Sequence, residues 1–598
     1  MVASAEMRAI RELPLAASLL LAGFALFFGG GPRFSSLPWL GALALAAVIA
    51  LIAMRGVPAG WPRVVPLAAL AAWLALSIAW SALPDRSWDY ADRAFVYFLV
   101  AVLGLWLAGR TRALALGLAA LLGAVVAWSL LGKVLPFLYG DYGRIARLRG
   151  PVGLWNQLAL LADFALPLAL WRRGRSGTLL AYAWIVALLL TYSRGGVLTA
   201  VAVLAVWFVA TDERVESAVV LVAAALPAFA VVGIAFALPG VTSDAQSSHT
   251  RWRDGLVFGV LLVAGAVASL LLVTRIARLR LSRTALRTLA GLAILAVAAL
   301  VAVVLVKGSG SGLLGNSGGR LASTSSNFRT VWWRQALDGW RRHALAGTGA
   351  GSFHVTNLQY RTSFLDETTE PHDLPLQFLS EAGVVGLALL AAALALLLRG
   401  GLRRRGHELA LALILPAYLV HSLVDIDWDF AAVSVPAFLT AGALVGGPAV
   451  RRVSPFAALV AAGAALLAFG ALLLPWLGER WSDQASVAAP RHAVTLAKRA
   501  RSVDPLLVEP LWALAFAAEL RGELVTALAY YKQAVDRQPK NPETWLLTGR
   551  FALANRCAQT AYTYLEKYTE LNPYARPSEG GDAYRRARAL VNAGKGRC

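Results

Sequence analysis

The chain has 598 residues, of which 58% are hydrophobic and only 15% are charged. A soluble protein of this length cannot enclose so much apolar surface, so the composition excludes a soluble globular chain and predicts an integral membrane protein. The formal net charge of +22 is, on its own, also typical of proteins that bind nucleic acid.

Apolar runs of about twenty residues, the length that crosses a hydrocarbon core, recur along most of the chain. No small-residue cleavage site follows the first run, so we expect a retained span rather than a cleaved signal peptide. We predict an all-α, polytopic bundle of about 14–15 spans. The runs lie near 13–29, 38–54, 64–82, 94–109, 113–132, 154–171, 177–192, 195–210, 216–238, 255–274, 288–306, 376–398, 408–422, 428–446 and 454–475.

Basic residues concentrate in alternate loops between these runs. With a cytoplasmic N-terminus, the cytoplasmic loops carry about 21 basic residues and the short outer loops about 10, as the positive-inside rule requires. The net charge therefore reports membrane topology rather than a nucleic-acid-binding surface. The same topology places the loop 307–375 and the C-terminal tail on the extracytoplasmic side.

The loop 307–375 is too long for a simple connector, and such loops are usually functional or disordered. Its start, 307–326, is rich in Gly and Ser and predicts a flexible lead-in. The stretch 326–340 has apolar residues at helical spacing behind a candidate N-cap, Ser326 or Asn327. Because its tryptophans suit the headgroup level, we expect an amphipathic helix at the membrane surface.

Two further features of this loop bear on function. The glycines of 347–353 resemble a phosphate-binding loop, but no strand precedes them, so we expect tight turns instead. The loop closes with Glu370-Pro371-His372-Asp373, which places His372 at the mouth of the next membrane helix.

A second candidate lies in Thr191-Tyr192-Ser193-Arg194-Gly195-Gly196, which joins two apolar runs almost without a loop. Arg194 therefore lies at or just below the outer interface, where a guanidinium costs a few kcal/mol unless it snorkels or meets an anion. Two interpretations stay open at this point, namely a snorkelling anchor and a functional anion-binding residue.

Four motifs in this order resemble the O-antigen ligase and polymerase superfamily of bacterial envelope glycan enzymes, over approximately residues 145–445. The motifs are 150–157, 191–196, 329–353 and 372–386. The segment 421–428 also looks like members of the family that carry C-terminal repeats. Two features depart from the family's pattern. Asp373 follows the histidine where Asn is common, and the number of spans before the long loop suggests an insertion near 216–306.

The resemblance implies a membrane-embedded glycosyltransferase without metal or cofactor, in the bacterial inner membrane. Its donor would be an undecaprenyl-diphosphate-linked glycan, used at the periplasmic or outer face. The catalytic residues that carry over are Arg194, Arg329 and His372. Guanidinium groups stabilise charge on a departing diphosphate, and an imidazole can accept the proton of an attacking hydroxyl. We also expect four residues to bind substrate: Asn156, Gln157, Tyr192 and Arg334. Helix capping and packing explain Asn156 and Gln157 almost as well, so that alternative stays open.

Other polar residues rank lower. Asp425, Asp427 and Asp429 form an acidic cluster, but carboxylates spaced by two need not converge. We expect His421 to hydrogen-bond one of them. Asp163 lies in the middle of a span and is expected to pair with a residue that the sequence does not identify.

The motifs leave the acceptor open among a lipid core sugar, a protein hydroxyl, a cell-wall polymer and a growing glycan. A ligase, a lipid-linked glycan polymerase and an O-linked protein oligosaccharyltransferase would share the same arginines. A transporter or flippase for lipid-linked glycans is the alternative from another class. The spans show no convincing internal symmetry of the transporter kind, and the polar candidates gather at one face, which favours an enzyme.

Beyond Trp481 the sequence becomes polar enough for a soluble domain. Asp504-Pro505, Gln538-Pro539 and Asn572-Pro573 follow one another at intervals of 34 residues, the period of tetratricopeptide repeats. We therefore divide the chain into a transmembrane domain, 1–475, and a helical-repeat domain, 482–598. So few repeats are barely stable alone, so the domain is expected to lean on the membrane body or a partner. Recruitment of an acceptor or envelope protein and a purely structural role both stay open.

Overall fold

The computed structural model describes five stretches of the chain, which are residues 2–28, 36–139, 145–278, 327–451 and 454–595. They are predominantly helical, and the protein is the all-α, polytopic membrane protein that the composition predicted. Six described helical segments are long and apolar enough to cross a membrane, and five further apolar helices are shorter. The span predicted near 288–306 and the lead-in 307–326 lie outside the described residues.

Helices occupy the apolar runs because backbone polar groups in lipid must bond within their own segment. The run predicted as 408–422 is divided at Leu413 into two helices. A short antiparallel strand pair, Val57–Pro58 with Ala449–Arg451, joins two of the connecting loops. The described helices of the membrane domain are Val2–Phe27, Leu37–Arg55, Val65–Ser77, Pro84–Leu105, Thr111–Val134, Trp155–Arg172, Gly174–Leu190, Arg194–Ala210, Arg214–Ala235, Pro239–Thr242, Ser248–Arg278, Leu374–Leu398, Gly406–Ala412, Ile414–Ser422, Ala431–Val445 and Pro455–Val487.

The helix Pro84–Leu105 corrects one predicted boundary, because residues 84–93 were expected to be a loop. Its first turns carry several charged side chains, which mask the apolar pattern that identified the span. Tertiary packing nevertheless buries three of them, and Asp89, Asp92 and Arg93 are 6%, 7% and 3% exposed. The charged residues predicted a loop, whereas the fold forms a helix here, buries these three and pairs Arg93 with Asp429 at 3.6 Å.

Two helices pack closely at the centre of the bundle. Ala431–Val445 is buried along its whole length, and it runs against Pro84–Leu105. A Cβ added at Gly442 would stand 2.1 Å from the Ala101 carbonyl oxygen, and one added at Gly104 would stand 2.3 Å from that of Leu439. Small residues let the two backbones approach, as is common between membrane helices. This pair supports the turn Asp427–Asp429 at its end.

The helix Leu374–Leu398 is broken at Gly383, whose φ of 69° and ψ of −171° are not helical. Residues before the break bond to the long loop, since Gly349 N donates to Glu381 O over 2.9 Å. After the break, Val384 N donates to Ala344 O over 2.9 Å. The break therefore ties the start of this membrane helix to the loop that precedes it.

Two loop helices, Arg329–Arg342 and Phe353–Tyr360, lie before this broken helix. The predicted amphipathic helix begins at Arg329, after Phe328, so neither expected N-cap residue holds that position. Its buried residues are Gln335, Ala336 and Gly339, and a Cβ at Gly339 would meet Thr356 and Ser380. This face packs on protein because the loop folds back over it.

The C-terminal region is a series of consecutive helices that pack on their neighbours. The helix Pro455–Val487 runs through the predicted domain boundary at 475–482 without interruption. The helices that follow it are Pro490–Val503, Glu509–Leu520, Leu524–Arg537, Pro542–Ala554, Ala558–Leu571 and Gly581–Asn592. The turns between pairs fall at the three residue–proline steps that the sequence singled out.

Candidate functional site

Asp425 lies at the centre of a polar cluster beside the long loop. Its carboxylate is 3% exposed, and Arg329 Nη2 donates to Oδ2 over 3.3 Å. His372 Nδ1 lies 3.7 Å from Oδ1, which is an electrostatic contact rather than a hydrogen bond. Burial raises the pKa of Asp425, but His372, His421 and Arg329 outweigh burial and hold that pKa below its ordinary value. Two of the three predicted catalytic residues thus share one anion.

Arg194 lies at the edge of the same cluster. Ser193 caps its helix by accepting a hydrogen bond from Gly196 N over 3.2 Å. The Arg194 guanidinium is close enough to Arg329 for their like charges to repel. A Cβ added at Gly195 would stand 3.5 Å from His421 Nε2, so this turn packs against the element that carries Asp425. Two neighbouring guanidiniums repel until an anion binds between them.

The backbone is strained at each of these motifs. Tyr192, Asn327, Phe328 and His372 have φ values of 53°, 50°, 65° and 55°. Side-chain-bearing residues rarely adopt this left-handed conformation, which costs about 1–3 kcal/mol where it occurs. Such strain clusters at functional sites, where the surrounding structure imposes it. All four positions are in or next to the motifs that carry Arg194, Arg329 and His372.

Two of the predicted substrate-binding residues reach the cluster. Asn156 Nδ2 donates to Asp425 Oδ2, and Gln157 Nε2 donates to Asp425 over 3.4 Å and to Asp427 over 3.1 Å. Arg147 joins their segment to the Ser-Arg-Gly turn by donating to Thr191 O over 2.8 Å. Both amides therefore hold in place the acidic turn, residues 425–429.

The other two predicted substrate-binding residues do not reach it. The ring of Tyr192 is 1% exposed, and its hydroxyl donates to Thr242 O over 3.2 Å, so the side chain serves packing. Arg334 is exposed, and the structure gives it no hydrogen bond or ion pair within the described residues. It leaves the loop helix about 140° around the axis from Arg329.

His372 is oriented by an aromatic contact that the sequence did not indicate. The Trp332 ring stacks on the imidazole with centroids 5.0 Å apart and planes 22° from parallel. The Trp332 indole N–H donates to Asp366 O over 2.7 Å, which fixes the ring in turn. The placement of Trp332 at the headgroup level stays a prediction, and its protein contacts include those to Asp366 and His372.

A second acid–imidazole pair lies next to the first. His421 Nδ1 is 2.8 Å from Asp427 Oδ2, and both side chains are fully buried. Burial raises the pKa of Asp427, against the effect of His421. The expected hydrogen bond of His421 is therefore present. The sequence analysis ranked these acids low because only tertiary packing shows that Asp425 pairs with Arg329 and Asp427 with His421.

Charge pairing also fixes the acidic turn from the other side. Arg93 Nη1 lies 3.6 Å from Asp429 Oδ1 and donates to Trp428 O over 3.3 Å. Tyr97 donates to the same carbonyl over 2.7 Å. These contacts reach the turn from the central helix Pro84–Leu105.

The glycine segment 347–353 forms turns, and an internal carboxylate occupies its backbone donors. Gly347, Gly349 and Gly351 have φ values of 70°, 104° and 70°. Gly351 N and Phe353 N donate to the Glu381 carboxylate over 2.9 and 3.0 Å. The donors that would cradle a phosphate are thus already bonded to the Glu381 side chain.

Two expectations concern buried acids and metals. Both carboxylate oxygens of Asp163 are buried, and the expected partner is not found among the described residues. Within the described ranges, no three His, Cys, Asp or Glu side chains are arranged to hold a metal ion.

One family model matches part of the chain. A family model described as O-antigen ligase matches residues 255–391, a segment that includes Arg329 and His372 but not Arg194. No curated protein matches the chain. The match covers residues 255–391, less than half of the chain, and this segment supports assignment to the O-antigen ligase superfamily of membrane glycosyltransferases.

Proposed function

We propose that this protein transfers a glycan from an undecaprenyl-diphosphate-linked donor to an acceptor hydroxyl at the extracytoplasmic face of the bacterial inner membrane. The observation that carries the proposal is the convergence of Arg329 and His372 on Asp425, next to Arg194. The family match to an O-antigen ligase domain supports glycosyl transfer in general.

The arginines would stabilise the leaving group. As the acceptor oxygen bonds to the anomeric carbon, the bond to the diphosphate breaks and its electron pair stays on the phosphate oxygen. Arg329 donates from Nη2 to Asp425, and its buried Nε makes no hydrogen bond within the described part of the chain. A buried donor without a partner is rare, so this guanidinium edge suits a phosphate oxygen. Arg194 would neutralise the remaining charge in this water-poor site.

His372 would accept the proton from the acceptor hydroxyl. Its Nδ1 faces the Asp425 carboxylate at 3.7 Å, which leaves Nε2 on the opposite edge of the ring for the acceptor. An adjacent carboxylate stabilises the imidazolium that forms when a histidine takes a proton. The stacked Trp332 holds the ring in this orientation. The step thus needs one base and two cations from the chain, and we propose that it proceeds without a metal.

The acceptor remains a choice among the same classes. A lipid core sugar would make the protein a ligase, a growing glycan a polymerase, and a Ser or Thr hydroxyl an oligosaccharyltransferase. The proposed roles of Arg194 and Arg329 concern the diphosphate of the donor, and that of His372 concerns a hydroxyl, which all three kinds of acceptor carry.

The test is a transfer assay with purified protein in lipid nanodiscs. The donor is an undecaprenyl-diphosphate glycan, and the acceptors are lipid core sugar, a second lipid-linked glycan and a Ser/Thr peptide. We expect new glycosidic product with one acceptor, and at least a 100-fold loss in Arg194→Ala and His372→Ala, because each removes transition-state stabilisation. Arg341→Ala is the control, since Arg341 is an exposed residue of the same loop helix and, among the described residues, pairs with Asp338 alone.

Two results would contradict the proposal. Unchanged transfer in Arg194→Ala and His372→Ala would remove the site assignment. Movement of the labelled donor across a vesicle membrane, without any new glycosidic bond, would instead favour a transporter.

A further inference from the structure

The three repeat turns of the C-terminal domain face the rest of the molecule. Asp504, Gln538 and Asn572 each precede a proline, and they are 1%, 1% and 6% exposed. Gln538 Nε2 donates to Asp85 Oδ1 over 2.7 Å at the start of the helix Pro84–Leu105. Asp504 packs on Gly478 of the helix Pro455–Val487. The 34-residue period therefore places one buried polar side chain at each turn of a single docking row.

Asn572 accepts two hydrogen bonds from one arginine. Arg361, in the long loop, donates to Asn572 Oδ1 from Nε over 3.2 Å and from Nη2 over 2.8 Å. The Arg361 side chain is fully buried, and its Nη1 pairs with Glu367 at 2.5 Å. A buried guanidinium is stable only when its donors are satisfied, so the two-donor fit to Asn572 is a specific contact.

Buried hydrogen bonds continue from this contact to the predicted base. Arg361 N donates to Asn357 O over 2.8 Å, and Asn357 Nδ2 donates to Asp366 O over 3.0 Å. The same Asp366 carbonyl accepts the indole N–H of Trp332 over 2.7 Å. Trp332 stacks on His372 with centroids 5.0 Å apart. A continuous polar and aromatic path thus joins the last repeat turn to the imidazole.

A second set of hydrogen bonds in the same network holds the loop helix Arg329–Arg342. Gln335 Nε2 donates to the Asp366 carboxylate over 3.2 Å, and Asn357 Nδ2 donates to Gln335 Oε1 over 2.8 Å. Gln335 is 2% exposed and lies about 1.7 turns after Arg329 on the same helix. The position of Asp366 therefore affects both Arg329 and His372.

We propose that the C-terminal domain is a positioning element for glycan transfer, which clamps the long loop through Asn572 and Arg361 so that Trp332 holds His372 in place. This inference rests on the proposed function. A displacement of catalytic groups by about 1 Å can lower the rate about 100-fold, so a contact that fixes the loop affects the rate of glycan transfer. Asn572 and Arg361 are positioning residues, because neither contacts the reacting atoms.

The experiment compares full-length variants in nanodiscs by two measurements. Asn572→Leu keeps the side-chain size but removes the acceptor oxygen, whereas Asn572→Asp keeps an acceptor for Arg361. The matched control is Asn592→Leu, because Asn592 is exposed on the helix Gly581–Asn592. Hydrogen–deuterium exchange of residues 353–372 reports loop order, and steady-state kinetics with the lipid-linked donor report kcat and KM separately.

In Asn572→Leu we expect faster exchange of 353–372 and a kcat lowered by about tenfold or more, with donor KM nearly unchanged, because a hydrogen bond to a charged group is lost. Asn572→Asp should restore both readouts, and Asn592→Leu should match the parent. Arg361→Lys tests the same contact from the loop side and should reproduce Asn572→Leu.

The outcomes separate this inference from the function that it deepens. If Asn572→Leu and Arg361→Lys exchange like the parent, or if exchange rises while kcat stays constant, the clamp is refuted. If the parent protein forms no glycosidic product, the proposed function fails and the positioning role in transfer falls with it, while the exchange data still report the contact alone. Should Asn572→Leu fail to fold, Asn572→Asp and Arg361→Lys carry the comparison.

Discussion

Replacing Asp425 by Asn should separate the role of its charge from that of its shape. The side chain accepts hydrogen bonds from Asn156, from Ile426 N over 2.9 Å and from Arg329 over 3.3 Å. An amide of the same size retains part of this set, so we expect Asp425→Asn to fold. It loses the negative charge that pairs with Arg329 and faces His372.

The expected size of the effect follows from the Arg329 contact. Arg329 is 20% exposed and Asp425 3%, so solvent screens the pair only in part. A hydrogen bond between charged groups contributes about 1.5–3 kcal/mol. If the contact is fully present in the transition state, its loss lowers kcat/KM by about 10- to 150-fold.

The assay is single-turnover transfer from the lipid-linked donor, with Asp373→Asn as the control for removing a nearby carboxylate. Asp373 caps the helix Leu374–Leu398 by accepting from Leu376 N over 2.8 Å, and Asn is an equally good cap. We expect transfer by Asp373→Asn to remain close to that of the parent. If Asp425→Asn kept the parent kcat/KM while Arg329→Ala lost it, Asp425 would not be the residue that positions Arg329.

Three further predictions test the surrounding structure. Gly383→Ala should lower the free energy of unfolding by about 2 kcal/mol or more, because its φ is 69° and a Cβ would stand 2.1 Å from Leu345 O. Gly463→Ala, with open space around the Cβ, should leave stability unchanged. Thermal unfolding in detergent measures both, and equal melting temperatures of the two variants would contradict the argument. Trp332→Leu should lower kcat about tenfold by removing the ring on His372, whereas Trp332→Phe should retain more activity, and equal rates would show that stacking is irrelevant. Burial raises the pKa of Asp504 from 3.8 to about 6, so the folded state favours the protonated acid. Protonation of Asp504 therefore adds about 3 kcal/mol to the free energy of unfolding below pH 4, and this stabilisation is lost as the pH rises through 6. Asp504→Asn should flatten that pH dependence of thermal unfolding, and an unchanged slope would exclude Asp504 as its source.

The helical architecture was predictable because lipid imposes it. Apolar runs of spanning length must satisfy their backbone hydrogen bonds internally, so a run such as 37–55 specifies its own helix. The first turns of Pro84–Leu105 were not predicted as helix because they carry charged residues rather than an apolar run. Their charges find partners only in the folded protein, as Arg93 does in Asp429.

The motif residues were also visible in the sequence, as a resemblance. That resemblance named Arg194, Arg329 and His372, and the structure places them in one cluster. Their catalytic roles stay a prediction that the transfer assay tests. The binding roles expected of Tyr192 and Arg334 receive no support from their positions, because one ring is packed inside and the other side chain points away.

The sequence by itself therefore determined the membrane class, the helices and the family of this protein, since these follow from local composition and short motifs. Only the tertiary structure decided that Asp425 joins Arg329 to His372, and that Asn572 reaches the loop through Arg361. Arg329 and Asp425 are 96 positions apart, and Arg361 and Asn572 are 211 apart. Contacts of such range arise when packed helices bring distant segments together, and no periodicity along the chain records them.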